Sequence, residues 1–433
     1  MSRKLFVVLL LFVFVPGQAY SFACDDRRTE LGANFNKTPH TFNPELFQRA
    51  GVEWFRGMID ILAVRDDLAD NGKIDNKKNL KNLEAFHLAH DSANAKILLS
   101  LKWDFKGRGE RIPSPDSMEE KKLYEALRFV LDDLAEITDV LVSGNEPIVE
   151  SVSEDIETAG FFGTRHSPMG TFYIRVTDYA HEYLKQINQR NGKKLLVGAF
   201  NRLDKSKKRS YKGVQDLLTY GLDSAHVDGL DIHIHVPNMQ AFENQLEYVA
   251  SRMADAGRED KLLTVSEYSM MWLFKRNLNK KLCKGEKGRN FCEGIYPEMS
   301  IEARSQLTER DFINDILRRP IGEKLSRKQW GDFFFTRSYL PKDFIAESYA
   351  LMNKYGVDLA TYTFDQDSPN DRGTWQWRNA RGYNRNSIPI RLNPLFVPQA
   401  VESDARIRSN PYFYDSFKKI VSEVKQAKNQ ECE

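Results

Sequence analysis

The chain has 433 residues, of which 41% are hydrophobic and 12% aromatic, so it can bury a large core and disorder is not expected. Its 63 basic and 61 acidic residues give a formal net charge of +2, which provides no overall attraction for nucleic acid. We therefore expect no nucleic-acid partner, and any preference for a charged ligand must be local.

The first 23 residues predict an export signal. Arg3 and Lys4 precede an apolar run from Leu5 to Val15, which Pro16 ends before a stretch of small residues. This run is too short to span a bilayer, and no later segment is long and apolar enough to do so. We expect a secreted or periplasmic protein of residues 24–433, with a lipid anchor only if cleavage leaves Cys24 at the new N-terminus.

Four cysteines remain after this signal. Cys283 and Cys292 bracket a loop rich in Lys and Gly and predict a local disulfide. Cys24 and Cys432 lie at opposite ends of the mature chain, and domain termini are often close in space, so we expect a second bridge there. No C-x-x-C or clustered Cys/His spacing predicts a zinc site.

In the first part of the chain, apolar β-type runs alternate with segments of helical period. The predicted strands are Leu31–Asn36, Gly51–Asp60, Lys96–Leu101 and Val140–Pro147. The predicted helices are Pro44–Ala50, a segment through Leu80–Leu88, and Met118–Ile137. The order is therefore strand, helix, strand, helix, with turns rich in Gly and Pro between them.

The second part repeats this order. The predicted strands are Leu195–Phe200, Gly229–Val236, Leu262–Glu267 and Leu359–Phe364, and the helices are Tyr173–Gln189, Val214–Tyr220, Met239–Ala256 and Phe344–Tyr355. Eight alternating strands predict one (β/α)8 TIM barrel with a long insertion between strands 7 and 8. A doubly wound open sheet is the alternative, but polar residues recur at strand C-termini all along the chain, which favours the barrel.

Two glutamates follow apolar strands in the same way. Glu146 comes after the fourth predicted strand, and Glu267 ends the seventh. In a barrel these strand ends meet at the face where active sites are built. Two carboxyl groups about 5–5.5 Å apart suit retaining glycoside hydrolysis, with one as general acid/base and the other as nucleophile. The alternative is that each glutamate only ends a strand in solvent.

The Asn145-Glu146-Pro147 triplet, the Ser266-Glu267-Tyr268 ending and the eight-strand order resemble the clan-A retaining glycoside hydrolases, and families 39 and 5 more than others. In that clan the acid/base follows strand four and the nucleophile lies on strand seven. The resemblance implies that Glu146 is the acid/base, that Asn145 holds the sugar's 2-hydroxyl, and that Glu267 is the nucleophile. It implies no cofactor.

The sixth predicted strand places Asp231, His233 and His235 on one face, with isoleucines on the other. The isoleucines suit the helix layer, so the polar set should point into the barrel, where His235 could bond Glu267 or substrate. Arg56 on the second strand could hold Glu267 ionised or could be a structural ion pair of the barrel.

The pair His233-x-His235 has a second interpretation as metal ligands, as in barrel amidohydrolases. That arrangement needs further His or Lys ligands, and the seventh and eighth strands supply no His. We therefore expect no metal.

Aromatic and basic residues follow the third and eighth strands and suggest the substrate. Lys102 and Trp103 come after the third, Tyr268 follows Glu267, and Trp375 and Trp377 follow the eighth among several arginines. Aromatic faces stack on sugar rings, and Arg binds carboxylate or sulfate with paired donors. These residues predict binding of a polysaccharide or oligosaccharide, in particular an anionic one, although the arginines could instead pair with nearby aspartates.

The leading hypothesis is an exported retaining glycoside hydrolase that attacks within chains, because long loops could form a cleft at the barrel mouth. A catalytically inactive carbohydrate-binding barrel is the alternative from another class. A metal-dependent barrel hydrolase using His233 and His235 is the third.

Overall fold

A computed structural model describes residues 28–158, 163–270, 272–273, 277, 279–309, 311, 343–364, 395–397, 408–409 and 411–431. Eight parallel strands form a closed barrel in sequence order, and β1 closes it by pairing with β8. They are β1 Glu30–Asn34, β2 Trp54–Asp60, β3 Lys96–Lys102, β4 Thr138–Val142, β5 Lys194–Asn201, β6 Gly229–His235, β7 Leu262–Ser269 and β8 Leu359–Thr363. The predicted (β/α)8 barrel is confirmed.

Helices lie between consecutive strands. Those of seven or more residues before β7 are Pro44–Ala50, Ile61–Asn71, Lys77–Ala93, Met118–Leu134, Pro168–Gln186, Lys212–Asp223 and Met239–Asp255. The chain between β7 and β8 contains helices Gly285–Ile295, Ile301–Gln306 and Phe344–Lys354, and helix Pro411–Glu431 follows β8. The long excursion predicted between strands 7 and 8 is therefore present, and its described part carries helices of its own.

Side-chain alternation divides the strands between two hydrophobic layers. Ile97 and Leu99 of β3 belong to the large cluster between barrel and helices, whereas Leu98 belongs to a small cluster with Val140 and Val142. The small cluster also contains Leu196 and Leu359, so it fills the barrel interior. Further along the same strands, polar residues occupy the interior positions. The candidate functional site therefore lies on the C-terminal side of the small apolar cluster.

The pairing of β6 with β7 shifts by one residue at the level of the site. Ile232 pairs with Val265, but the next residue, His233, pairs with Glu267, which leaves Ser266 as an extra residue on β7. Such a bulge changes the direction of the side chains that follow it. Because Val265 and Tyr268 pack in the outer layer, the two residues between them both face the interior.

Just before Glu146, the segment that follows β4 packs closely against the backbone of β5. A Cβ on Gly144 would lie 2.7 Å from a ring carbon of Tyr173 and would also meet the carbonyl oxygen of Gly198. The Ala199 amide, in turn, donates to the Asn145 carbonyl at 3.0 Å. Only glycine fits at position 144 without a shift of its neighbours, and this close approach fixes the backbone that carries Asn145 and Glu146.

The predicted disulfide between Cys283 and Cys292 is present, with a Cα–Cα distance of 5.7 Å. Cys24 and Cys432, the export signal and the proposed lipid anchor lie outside the described residues. Within the part of the chain that the structure describes, every helix is too short or too polar to cross a bilayer.

Candidate active site

Glu146 lies just beyond β4 and precedes the short helix Pro147–Glu150. Its Oε1 accepts hydrogen bonds from Asn201 Nδ2 at 2.9 Å and from His233 Nδ1 at 3.3 Å. Among the described residues, none hydrogen-bonds its Oε2, and 21% of the side chain is exposed. One oxygen of this carboxyl is therefore fixed by the protein, and the other is available to a ligand.

Glu267 of β7 is held more tightly. Its Oε1 lies 2.5 Å from Arg56 Nη1, and its Oε2 lies 3.2 Å from His235 Nε2. Only 8% of the side chain is exposed. Glu267 is thus a buried carboxylate with a cation on one oxygen and an imidazole on the other.

Arg56 of β2 is completely buried and hydrogen-bonds residues of three other strands and of the loop that follows β4. Besides Glu267, its guanidinium donates to Asn34 Oδ1 at 3.0 Å, Ser100 Oγ at 3.2 Å and Asn145 Oδ1 at 2.9 Å. A planar guanidinium can direct several donors rigidly in this way, whereas an ammonium cannot. Arg56 therefore aligns Glu267 with the residue that precedes Glu146.

His233 of β6 lies between the two carboxylates and is fully buried. Its Nδ1 is 3.3 Å from Glu146 Oε1, and its Nε2 is 3.8 Å from Glu267 Oε1. The same Nε2 is 3.0 Å from Ser266 Oγ, the extra residue on β7. Two carboxylates predicted from distant parts of the sequence therefore face one imidazole ring.

The two carboxylates differ in their electrostatic surroundings. Burial alone would raise the pKa of Glu267, but the charges of His233 and Arg56 and the hydrogen bond from His235 hold it far below its ordinary value. Burial also opposes ionisation of Glu146, while its hydrogen bond from His233 and the charge of that ring lower its pKa. Burial would lower the pKa of His233, but the charges of Glu267 and Glu146 raise it. The positive imidazolium and the two carboxylates stabilise one another.

Asn145 bonds protein groups at both ends of its amide. Its Oδ1 accepts from Arg56, and its Nδ2 donates to Glu150 Oε1 at 2.9 Å. Glu150 also accepts from the Trp103 amide at 3.0 Å and from Lys102 Nζ at 3.1 Å. Burial raises the pKa of Glu150, and these donors offset part of that effect. No acceptor among the described residues takes the second hydrogen of the Asn145 amide, which is therefore the one offered to a ligand.

Trp103 was expected to bind substrate and proves to be structural, which corrects the prediction, and Lys102 is ion-paired within the protein. Trp103 is fully buried, donates from Nε1 to the Ser143 carbonyl at 2.9 Å and packs edge-on against Phe172. Lys102 lies 3.1 Å from both Asp104 and Glu150, so its charge is neutralised within the protein. A buried ring face is not available to a sugar, whereas Lys102, although paired, still lines a cavity at the ends of β2 and β3 and remains a predicted substrate contact.

Tyr268 also corrects a prediction. It is the residue after Glu267, and its side chain points outward into the helix layer, where its ring meets Phe242, Phe344 and Tyr362. A residue adjacent to an interior one on a strand faces the opposite side, and here that side is the core. Trp375 and Trp377, which were expected to stack on sugars, lie outside the described residues.

Glu146, His233 and His235 offer potential metal-ligand atoms within 4.8 Å of one another. Each imidazole nitrogen already has a hydrogen-bonding partner, however. His233 faces Glu146 and Ser266, and His235 faces Glu267 and Ser269. A metal ion would have to displace these contacts, so the arrangement favours a hydrogen-bonded network over metal coordination.

The sequence analysis missed several residues of the site. Asn34 and Asn201 are polar residues at strand C-termini, and the reasoning that singled out Glu146 would have found them. Ser266 could not be found, because alternation along β7 would have assigned it and Glu267 to opposite faces. Glu150 carried no signal, since it lies at the end of a helix of only four residues.

No family model and no curated protein matches this chain. Among solved structures, it is similar to a glucosidase from Croceicoccus marinus, with 12% identity and a TM-score of 0.45 over 92% of this chain and 68% of that chain. It is also similar to a family 5 xyloglucanase from Paenibacillus pabuli (11% identity, TM-score 0.43, 91% and 99% coverage). Xylanase 10B from Thermotoga maritima gives 11% identity and a TM-score of 0.43, with 92% and 97% coverage. At such low identities and TM-scores, these similarities assign neither a family nor an activity.

Proposed function

We propose that the chain is a retaining glycoside hydrolase in which Glu267 is the nucleophile and Glu146 the general acid/base. The observation that carries the proposal is the asymmetric pair of carboxylates around His233. One is buried and ion-paired with Arg56, and the other keeps a free oxygen. Two carboxyls in unlike environments at the mouth of a barrel are what acid and nucleophile roles require.

The low pKa of Glu267 supports retention over inversion. In an inverting enzyme this residue would have to accept a proton from water, and a carboxylate held far below its ordinary pKa is a poor base. The same property suits a nucleophile that must also leave when the glycosyl intermediate is hydrolysed. The Arg56 guanidinium would keep Glu267 charged between turnovers.

The free Oε2 supports the acid/base role of Glu146. Asn201 and His233 fix Oε1, so the unbonded oxygen is the one that can meet the glycosidic oxygen and later the attacking water. Asn145 retains one amide hydrogen, which fits a contact with a sugar hydroxyl beside the reacting carbon.

A polar cavity of about 300 Å³ supports binding of more than one sugar unit. It lies at the ends of β2 and β3, and its lining includes Lys37, Asp60, Asn79, Asn82, Lys102 and Arg108. Lys102 joins this cavity to Glu150 and thereby to Asn145. We therefore extend the proposal to an oligosaccharide or polysaccharide cleaved within the chain. Action outside the cytoplasm is also proposed, on the export signal expected from residues 1–23 alone.

Preference for an anionic glycan remains part of the proposal, but the described cations give it little support. Lys102 pairs with Glu150, Arg108 with Asp66, and Arg111 with Asp155. Comparing rates on neutral and acidic polysaccharides tests this preference directly. Equal turnover of both would remove it and leave the glycosidase proposal intact.

The decisive experiment is a screen of bacterial and algal polysaccharides for released reducing ends, with Glu267→Ala and Glu146→Ala as controls. We expect turnover to fall by at least about 10³-fold in either variant, while glycan binding persists. Binding without turnover by the wild type would identify a carbohydrate-binding barrel instead. Turnover that survives Glu267→Ala but stops with a chelator would support the metal-dependent alternative.

The stereochemistry of the product tests the assignment of roles. Proton NMR at early times should show the product with the anomeric configuration of the substrate. Azide added to Glu267→Ala should restore turnover and give a glycosyl azide of inverted configuration, because the anion occupies the space left by the nucleophile. An initial product of inverted configuration from the wild type would contradict the retaining mechanism.

A further inference from the structure

The proposed acid/base raises a problem that the surrounding residues resolve. Glu146 must be protonated to donate to a leaving group, yet its contact with His233 lowers its pKa. A general acid that is ionised in the resting state needs a nearby source of protons. Behind Glu146, three buried side chains run in a continuous hydrogen-bonded chain into the barrel.

The chain begins at Asp231 of β6, which is completely buried. Its Oδ1 accepts from the Thr264 hydroxyl at 2.6 Å and from the Ser266 amide at 3.1 Å, and its Oδ2 accepts from the Ser266 hydroxyl at 2.6 Å. Two short hydroxyl bonds and one amide bond are the surroundings that stabilise a buried carboxylate. The pKa of Asp231 is raised overall, because the effect of burial outweighs the charge of His233 and these hydrogen bonds, which lower it.

The bond to Asp231 determines which nitrogen of His233 holds a fixed proton. The Ser266 hydroxyl has one hydrogen, and this hydrogen points to Asp231. Ser266 Oγ can then only accept from His233 Nε2, 3.0 Å away. It lies closer to this nitrogen than Arg56 Nη2 at 3.4 Å or Glu267 Oε1 at 3.8 Å. His233 therefore keeps a proton on Nε2, and Nδ1 is the nitrogen that gains and loses one. That nitrogen faces Glu146 Oε1.

We propose that Asp231, Ser266 and His233 form a buried relay that keeps one proton shared between His233 Nδ1 and the Glu146 carboxyl. This inference rests on the proposed function, because it assigns His233 as the positioning residue of the acid/base. In the resting enzyme the proton lies on Nδ1, and Glu146 is a carboxylate. Asp231 stabilises the resulting imidazolium through Ser266.

Substrate binding moves the shared proton. A sugar that covers Oε2 removes water from Glu146 and favours the neutral pair. The Nδ1–H bond breaks, an O–H bond forms at Oε1, and the charges of His233 and Glu146 cancel. Because Nδ1 no longer donates to Oε1, only Asn201 holds this oxygen, and rotation about the Cγ–Cδ bond brings the protonated oxygen to the position that Oε2 occupied, facing the glycosidic oxygen. After the proton leaves with the departing sugar, Glu146 is again a carboxylate and accepts a proton from water in the second step.

The charged groups around His233 are consistent with a charged ring. Glu146 approaches it from β4, Glu267 from β7 and Asp231 from its own strand, while Arg56 from β2 is the opposing cation. The His235 ring centroid lies 5.9 Å away on β6, and Asn201 of β5 is neutral. Three carboxylates against one guanidinium favour the imidazolium.

The relay is tested without any sugar by NMR of protein carrying ¹⁵N-labelled histidine. The chain has eight histidines, and the His233 signals are those that disappear in His233→Gln. We expect the wild-type ring to be charged above pH 6.5, the ordinary value, and to lose its proton from Nδ1. Glu146→Gln and Asp231→Asn should each lower its pKa by about one unit or more, because each removes a negative charge.

Asp178→Asn is the matched control, because Asp178 bonds His226 in the same way but outside the barrel interior. It should leave the His233 titration unchanged. A His233 ring that stays neutral throughout, that keeps its proton on Nδ1 when neutral, or that titrates identically in Glu146→Gln would overturn the relay. Because this readout needs no turnover, it decides the relay even if the screen for glycosidase activity fails.

The pH profile of kcat/KM provides the second readout, measured with whichever polysaccharide the screen identifies. Without His233, Glu146 must keep its own proton, so His233→Gln should move the basic limb to lower pH by about one unit or more. Asp231→Asn should move the same limb in the same direction. A purely structural role would lower the rate at every pH and leave the limb in place, and that result would contradict the relay.

Discussion

Arg56 and Glu267 form an ion pair inside the barrel, 2.5 Å apart between Nη1 and Oε1, with the arginine completely buried. The pair joins β2 to β7 across the interior, and neither strand is adjacent to the other in the sheet. A buried charge that loses its partner is costly, because water cannot replace the lost contact. The stability of the barrel and the ionisation of Glu267 therefore depend on the same contact.

Replacing Arg56 with Met should lower the free energy of unfolding by about 3–5 kcal/mol, because Glu267 is left buried without its cation. Urea denaturation of the purified variant measures the change. Adding Glu267→Gln to the same protein should recover part of the loss, since the uncompensated charge is removed. If the two losses simply add, the ion pair does not couple the two strands.

The free energy of unfolding should also depend on pH, and the directions of the pKa shifts of Glu267 and His233 determine how. The pKa of Glu267 is depressed in the folded state, so its contribution is present above the unfolded value of 4.5 and is lost as the pH falls. The pKa of His233 is raised, so its contribution is present below 6.5 and is lost as the pH rises through the folded value.

Unfolding free energies measured by urea between pH 3 and pH 9 should therefore show these two contributions fully developed together between 4.5 and 6.5. His233→Gln should remove the decline on the alkaline side, and Glu267→Gln should reduce the decline on the acid side. A flat difference between wild type and His233→Gln across this range would contradict the charged state of the ring.

Gly144→Ala should destabilise the protein by about 1–3 kcal/mol, because the added methyl group overlaps the Tyr173 ring and the Gly198 carbonyl. The shift should also displace Glu146 and reduce turnover. Gly294→Ala is the matched control, since it lies in helix Gly285–Ile295 and its Cβ would meet nothing within 4 Å. There the same change should be neutral or stabilising by about 0.4–1 kcal/mol. The melting temperatures of both variants, compared with that of the wild type, measure the two effects.

Removing the disulfide by Cys283→Ser with Cys292→Ser should lower stability by about 2–3 kcal/mol, the chain-entropy value for a closed loop of this length. The bond lies in the excursion after β7, away from the contacts of Glu146 and Glu267. Differential scanning calorimetry with and without reductant measures the loss. Mass spectrometry of the unreduced wild type should show this pair linked, and free thiols at both positions would contradict the prediction.

The alternation of strands and helices was predictable because most strands carry a short apolar run or an alternating pattern and most helices an amphipathic period. Helix Pro44–Ala50 has the predicted bounds, and strand β6 differs by one residue. The interior direction of His233 also followed from alternation with isoleucines. These features depend on local residue order, which the sequence contains directly.

Prediction from the sequence was wrong or incomplete where the role of a residue depends on the element packed opposite it. Trp103 and Tyr268 are aromatic residues near a strand end, and the pattern cannot distinguish a ring that lines a cleft from one that fills the core. The register of β7 against β6 is likewise a property of two strands together, so neither sequence alone predicts the extra residue at Ser266.

Ser266, the extra residue on β7, makes the connection between Asp231 and His233 depend on the length of one strand. In a variant that lacks Ser266, we expect β7 to pair continuously with β6, with Glu267 still facing the interior and in contact with Arg56. What would be lost is the hydroxyl that joins Asp231 to His233. We therefore expect that deletion of this single residue disconnects Asp231 from His233. The proposed glycosidase activity of such a variant should respond to pH differently from that of the wild type, although both glutamates are kept.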